Sequence, residues 1–203
     1  MSFINFLKKL PIDLGQGNIN KGLRSKTHGK VIAESLVPNE QGKKALDIGC
    51  REGIQSKWLE SKGYEVTSID IEKVYDKCII ADANKKLPFK DNTFDLIWNS
   101  ELIEHLEKPE FTINEFKRVL KPNGKIITTT PNSNFWLYKL AKLFGKSAKD
   151  LQNPGHKHFF SEKDIKELFP NDQIYGYFPY IIKKFTIKKN IGHLSPTFVI
   201  LSS

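Results

Sequence analysis

The chain has 203 residues, 39% of them hydrophobic and 11% aromatic, which excludes a disordered polymer and suffices for one domain with a substantial core. Its two cysteines, Cys50 and Cys78, have no metal-ligand spacing and build no disulfide framework. With no secretory core and no apolar run long enough to span a bilayer, they predict a cytoplasmic protein with thiols buried or half-buried at strand ends. The formal net charge of +9 leaves two readings, an anionic partner or a solvated lysine-rich surface.

Residues 2–10 place Phe3, Phe6, Leu7 and Leu10 on one helical face, read as a cap over the domain or its site, with a membrane-surface contact as the alternative. Pro11, Gly15 and Gly17 make 11–20 a loop. A second helix over 21–37 ends before Pro38 and carries His28 as a surface residue or lid contact. Residues 1–37 thus form an N-terminal helical cap on a single domain spanning 1–203.

The organising stretch follows: Lys44-Ala45-Leu46-Asp47-Ile48-Gly49-Cys50-Arg51-Glu52-Gly53. A short apolar run ends in an acid, then a glycine turn, then a helix over 54–62 with Ile54, Trp58 and Leu59 facing the sheet. A buried parallel strand delivers backbone to a nucleotide in this way. Glycine lets the ligand approach the main chain, and the helix start offers free N–H groups. About twenty residues on, the strand Glu65–Ile69 ends at Asp70, where an acid accepts hydrogen bonds from ribose hydroxyls. The strand Cys78–Ile80 ends at Ala81-Asp82-Ala83, so the nucleotide's base is expected between Ile71 and the Asp82-Ala83 turn. Asp82 is otherwise a turn acid.

Leu87-Pro88-Phe89 leads into the strand Phe94–Ser100. With Ser100 as a helix cap, Glu101, Glu104 and His105 fall at i, i+3 and i+4 on one face. Two carboxylates and an imidazole converging there make a divalent metal site. Without a cation their repulsion raises a carboxylate pKa or disorders the turn. The opposing reading is a metal-free pocket in which the histidine is a base or structural group and Glu101 a first-turn acid.

Pro109 opens an amphipathic helix over 109–120 with Phe111, Ile113, Phe116, Val119 and Leu120 inward. Leu120-Lys121-Pro122-Asn123-Gly124 turns into the strand Lys125–Thr130, stopped by Pro131, so that Asn132 and Ser133 face the pocket. Residues 133–158 form a substrate-side insertion. Phe135, Trp136, Leu137, Leu140, Leu143 and Phe144 interleave with Lys139, Lys142, Lys146 and Lys149, a basic stripe on a helix. It fits an anionic-substrate lid or peripheral membrane contact, or packs on the domain with a solvated outer face. Ser161 caps a helix over 161–168, and Tyr177–Lys188 with Thr197–Leu201 form an antiparallel edge hairpin guarded by Lys183, Lys184, Lys188 and Lys189.

Taken in order, Asp47-Ile48-Gly49-Cys50, Asp70, Leu87-Pro88-Phe89, Phe94-Asp95-Leu96-Ile97, Glu104-His105 and Leu120-Lys121-Pro122-Asn123-Gly124 resemble the motif set of class I S-adenosylmethionine-dependent methyltransferases, over roughly residues 40–170. The resemblance implies a Rossmann-like α/β fold: a seven-stranded, mostly parallel sheet with an antiparallel edge hairpin and helices on both faces. It implies that S-adenosylmethionine lies on Asp47, Gly49, Cys50, Gly53, Asp70, Ile71, Asp82, Ala83 and Asn99, with Asp82 accepting the adenine amino group and the Ala83 backbone lining the ring. One departure stands out: Arg51 occupies the middle glycine of the family's Gly-x-Gly-x-Gly turn, so its side chain aims away from the methionine moiety or covers it.

The Glu-x-x-Glu-His segment, followed by His156 in Asn153-Pro154-Gly155-His156, is similar to that of ubiquinone-pathway O-methyltransferases and small-RNA 2′-O-methyltransferases. It implies a divalent ion held by Glu101, Glu104, His105 and His156. The reaction expected is O-methylation of a hydroxyl on a small molecule, glycan, lipid or RNA ribose, with His105 and Glu104 as catalytic groups. A catalytically inactive cofactor-binding or interaction protein on the same fold is the alternative. Only Arg24, Arg51 and Arg118 are arginine. Nucleic-acid recognition favours arginine's planar fork, so RNA is the less favoured acceptor.

Overall fold

A computed structural model describes residues 27–178 and 185–203. The helix expected over 2–10, the loop over 11–20 and the start of the second helix lie outside the described residues, as do Lys183 and Lys184. The described part of the second helix is α1 (His28–Ser35), opened by Thr27, whose hydroxyl accepts the Lys30 N–H at 3.5 Å.

Eight strands form one sheet: β1 (Lys44–Ile48), β2 (Glu65–Asp70), β3 (Cys78–Ile80), β4 (Phe94–Ser100), β5 (Leu120–Pro131), β6 (Gln173–Phe178), β7 (Phe185–Ile187) and β8 (Thr197–Ser202). Their order is β3-β2-β1-β4-β5-β8-β6-β7, parallel from β3 through β5 and antiparallel from there on. The expected mostly parallel sheet is present with one strand more than the seven expected. The run Tyr177–Lys188 divides between β6 and β7, and β8 lies between β5 and β6 rather than on the edge. Leu120–Gly124 is not a free turn either. It belongs to β5, whose pairing slips from Phe94–Leu120 to Leu96–Lys125, with Asn123 in the left-handed region at φ 63°.

Alternation along the central strands builds two cores, one on each face. Leu46, Ile97, Ile126, Phe198 and Ile200 face one side and pack with Ile113, Phe116 and Val119 of α3 (Pro109–Val119) and Ile165 of α6 (Glu162–Leu168). Ala45, Leu96, Trp98, Ile127 and Val199 face the other side and pack with Ile32 and Ala33 of α1 and Leu59 of α2 (Ile54–Ser61). Each such large side chain, once buried, contributes about 1.5–3 kcal/mol. Two inward positions were misassigned. Ile54 is 54% and Phe111 41% exposed, because both fall in the first turn of their helices, where the backbone has just left the sheet end. Trp58 is half-buried against the ring of Trp98.

The insertion is two short helices, not one: α4 (Trp136–Lys142) and α5 (Ala148–Leu151), separated by a turn with Gly145 at φ 68°. Phe135, Leu137, Tyr138, Ala141 and Leu151 make a small core of their own, while Leu140, Leu143 and Phe144 stay exposed. Ser161 caps α6 reciprocally with Asp164, as expected. A last short helix, α7 (Ile191–Leu194), precedes β8. Among the described residues no helix is long and apolar enough to cross a membrane.

Candidate active site

The glycine turn after β1 and the acid ending β2 lie side by side. Gly49 N–H and Cys50 N–H donate to the Ile69 carbonyl at 2.9 and 3.2 Å, and Arg51 N–H donates to Asp70 Oδ2 at 3.0 Å. The other Asp70 oxygen accepts the Glu72 N–H at 3.2 Å. The turn is left-handed at Gly49, Arg51 and Gly53, with φ 77°, 45° and 72°. At Gly53 a Cβ would stand 2.5 Å from the Tyr75 ring, so only glycine fits. Arg51 adopts the same region although it is not glycine, at a local cost of about 1–3 kcal/mol, and its side chain is exposed.

Below the turn, Asp47 is buried and joined to α2: Ser56 Oγ donates to Asp47 Oδ2 at 2.6 Å, and Ser68 Oγ donates to Ser56 Oγ at 2.8 Å. Burial pushes the Asp47 carboxyl up to about 6, against the pull of the Ser56 bond and of Lys30. Cys50 and Cys78 are both buried, free and clustered with Tyr75; burial, then the neighbouring Cys78, pushes the Cys50 thiol well above its ordinary value. Beside Asp70, Ile71 is 66% exposed, an apolar face at the mouth of the sheet. Asn99 is fully buried. Its Nδ2 donates to Thr128 Oγ1 at 2.9 Å, while its Oδ1 has no partner among the described residues. An acid accepting at the end of β2, an exposed apolar neighbour, a glycine turn and an unsatisfied amide oxygen fit a nucleoside cofactor.

Asp82 is shared. Its Oδ1 accepts the Asn84 N–H at 2.9 Å and Nδ2 at 3.0 Å, and Lys85 stands 3.6 Å from Oδ2. The Asn84 backbone bond holds its carboxyl below the usual range, as in a turn acid. Ala83 is buried, its carbonyl accepting from Thr112 Oγ1 at 2.8 Å.

After β4 the expected helix does not form. Ser100 remains in β4, its hydroxyl 2.8 Å from Thr129 Oγ1, Glu101 turns left-handed at φ 55°, and one 3-10 turn spans Ile103–His105. Pairing with β5 outweighs the capping preference of Ser100 and bends the chain at Glu101. The bend still brings Glu104 and His105 together, and His156 joins them. One ligand atom from each lies within 4.8 Å of the others. Glu101 is not in that group; its Oε1 accepts Thr129 Oγ1 at 3.2 Å.

The hydrogen bonds fix which atoms face inward. His105 Nδ1 donates to the Gly155 carbonyl at 3.1 Å, leaving Nε2 as its basic nitrogen. His156 Nδ1 donates to Gln152 Oε1 at 3.4 Å, so its Nε2 lone pair points to Glu104 Oε1, 3.8 Å away. Glu104 Oε2 accepts Thr130 Oγ1 at 2.9 Å, but Oε1 is buried without a hydrogen-bond partner. Two acceptors therefore face each other across a gap. Burial, then the Glu101 charge, pushes the Glu104 carboxyl far up, and burial pushes Glu101 up to about 7. Burial, then His105, holds His156 down at about 4.

Asn132 does not face the pocket. It is fully buried, and its Nδ2 donates to the Gly192 and Ser195 carbonyls at 2.9 and 2.6 Å, tying the end of β5 to α7. Three contributors escaped the sequence. Lys30 of α1 acts electrostatically on both Asp47 and Glu101, and nothing local marks it. Thr129 and Thr130 bond the two glutamates, and the threonine run at a strand's carboxyl end was the available signal. His28, expected as a surface residue or lid contact, makes an edge contact with Tyr177 at 5.1 Å.

This sheet order, glycine turn and acid define the class I methyltransferase fold. Residues 24–173 match the family model described as a methyltransferase domain, and the chain belongs to that family. A ubiquinone biosynthesis O-methyltransferase of Glaesserella parasuis serovar 5 is 30% identical over 180 residues, covering 74% of this chain and 75% of the relative. The same-named protein of Azoarcus sp. (strain BH72) is 30% identical over 114 residues, and the chain spans about half of its length, 49%. Among solved structures, an S-adenosylmethionine-dependent methyltransferase from Mesorhizobium loti superposes with a TM-score of 0.67 at 13% identity, covering 87% of this chain and 98% of that one. One from Archaeoglobus fulgidus gives 0.62 at 15% identity, covering 92% and 99%.

Proposed function

We propose that this chain is an S-adenosylmethionine-dependent O-methyltransferase, whose acceptor hydroxyl meets the cofactor beside Glu104, His105 and His156. Bound in the cradle, S-adenosylmethionine supplies an electrophilic methyl group with a neutral leaving group, so the protein's work is alignment and desolvation. Alignment alone can supply about 7–11 kcal/mol. Asp70 would take the ribose and Ile71 with the Asp82-Ala83 turn the adenine, while Gly49 lets the backbone approach the methionine part. An alcohol acceptor must also lose a proton, which is what a cluster of bases at the carboxyl end of β4 can receive.

The observation that carries this reading is the pair of facing acceptors, Glu104 Oε1 and His156 Nε2, 3.8 Å apart. Such a pair is stable with a shared proton or a cation between. Glu104, His105 and His156 would hold a divalent cation, which lowers the pKa of a hydroxyl it binds. The Gly155 carbonyl behind His105 and Gln152 behind His156 are the outer partners that orient such ligands. The inactive alternative raised by Arg51 is not favoured, since its backbone keeps the left-handed turn and its side chain is exposed. The ubiquinone-pathway relatives support a hydroxylated acceptor.

The test is calorimetric titration with S-adenosylmethionine, followed by labelled-methyl transfer to a panel of catechols, sugars and short RNAs with magnesium, manganese or excess EDTA. Expected are micromolar cofactor binding, methyl transfer to a hydroxyl, and loss of ion-dependent turnover in Glu104→Ala. No binding at millimolar cofactor overturns the enzyme reading. Full turnover in excess EDTA removes the cation and leaves His105 as the base.

A further inference from the structure

Beside the acid-imidazole cluster lies a second cavity, of about 420 Å³. Lys139 and Lys142 of α4 and Lys149 of α5 line it, with Ser133, Tyr138, Ser147 and Ser161. No carboxylate lines it, and none of the three lysines has an ion-pair partner within 4 Å among the described residues. Two acids bonded to lining serines are already committed: Asp150 takes the N–H and hydroxyl of Ser147, and Asp164 those of Ser161. Lys149 also acts on Asp150 electrostatically, a partial counter-charge outside the cavity. In the wall, the Tyr138 hydroxyl is buried beside the Gln152 side-chain amide. Burial pushes the Tyr138 phenol up to about 12, so it stays a donor.

Three lysines on one cavity, with no carboxylate among its lining residues, suit a tetrahedral oxyanion, which lysine binds as a point charge. The cavity also shares a wall with the proposed reaction site. Ser133 Oγ donates to Gln152 Oε1 at 3.2 Å, and the same oxygen accepts His156 Nδ1 at 3.4 Å.

We infer that this lysine-lined cavity binds a phosphate group of the acceptor, anchoring it so that a hydroxyl elsewhere on the same molecule reaches Glu104, His105 and His156. The inference rests on the O-methyltransferase reading for its link to catalysis, but not for the anion site itself. The phosphate has two sources, a soluble phosphoester or a lipid headgroup. Leu143 and Phe144, 79% and 60% exposed next to Lys142, make the second a distinct arm of the test.

The experiment titrates inorganic phosphate and phenyl phosphate into the isotope-labelled full chain at low salt and without cofactor, following amide shifts. Wild type is compared with Lys142→Gln/Lys149→Gln and with Lys117→Gln/Lys163→Gln, an exposed control pair elsewhere. All four positions are solvent-exposed, so both variants keep the fold. Saturable shifts around 133–149, weakened about tenfold in the first variant and unchanged in the control, are expected. No shifts, or equal weakening in both variants, overturn the inference. Sedimentation with phosphatidylglycerol against phosphatidylcholine vesicles assigns the source. Binding to the former alone, lost in the first variant and in Leu143→Ser, identifies a headgroup. Phosphate binding with no vesicle binding identifies a soluble ester. Cofactor binding without phosphate binding sinks this inference alone, and the reverse result sinks the catalytic reading alone.

Discussion

Asp47 shows how one side chain can be legible in type while its structural partner stays hidden. The acid before the glycine turn read as a ligand for the cofactor, yet its Oδ2 is bonded to Ser56 at 2.6 Å beneath the turn. Its position at a strand end was local information; the serine nine residues on was not recognisable as its partner. Burial raises its pKa from 3.8 to about 6. The native state therefore keeps a proton that the unfolded chain has released between those two values. Stability contributed there is greatest below pH 4 and is lost as pH rises through 6. A shift of about two units is worth about 3 kcal/mol. Asp47→Asn removes the titration while keeping an acceptor for Ser56. At pH 8 it is expected to raise the melting temperature of the cofactor-free protein by about 6–12 °C, and at pH 4 to leave it unchanged. A scanning-calorimetry profile parallel to wild type across this range would show that Asp47 does not carry the cost.

At the scale of elements, the parallel strands were readable because each is a short apolar run closed by a turn residue. The segment 101–105 was not, because its shape is decided by β5, a long-range partner. Glu101 N–H donates to the Thr129 carbonyl at 2.9 Å, which draws the would-be cap into the sheet. His156 was placed by resemblance alone, since no spacing within the chain specifies a ligand fifty-one residues from His105. The loop after Asp82 makes the same point. Leu87-Pro88-Phe89 was recognised as a motif, but its anchor is on α3. Arg118 donates to the Leu87 and Phe89 carbonyls at 3.0 and 2.8 Å, to Asp91 at 2.7 Å and to Glu115, whose Oε2 also accepts the Leu87 N–H at 2.8 Å. This fork needs arginine's fixed plane, and an ammonium cannot reach all four acceptors. Arg118→Lys is expected to destabilise the protein by about 2 kcal/mol, lowering the urea midpoint with an unchanged slope. A midpoint within error of wild type would mean that solvent replaces those bonds without loss.

For the whole molecule, the decisive feature is that the cradle is assembled from two neighbouring parallel strands of one continuous sheet. Gly49, Cys50 and Arg51 reach across to Ile69 and Asp70, so the two halves of the cradle are already bonded before any ligand arrives. β1 also pairs with β4, and β4 with β5, which carries Thr130 against Glu104. A ligand bridging the ends of β1 and β2 therefore stabilises the unit that holds both hydrophobic faces, not a peripheral lobe. Binding to the native state alone adds about 2.7 kcal/mol at a hundredfold excess over Kd. For a chain of this length that corresponds to a rise of about 5–10 °C. S-adenosylhomocysteine, which lacks the transferable methyl and cannot turn over, is expected to shift a single cooperative unfolding transition by that amount. A second, unshifted transition would locate the ligand away from the central sheet. No shift at saturating concentration would mean that the turn and the acid, although bonded to each other, do not receive a nucleoside.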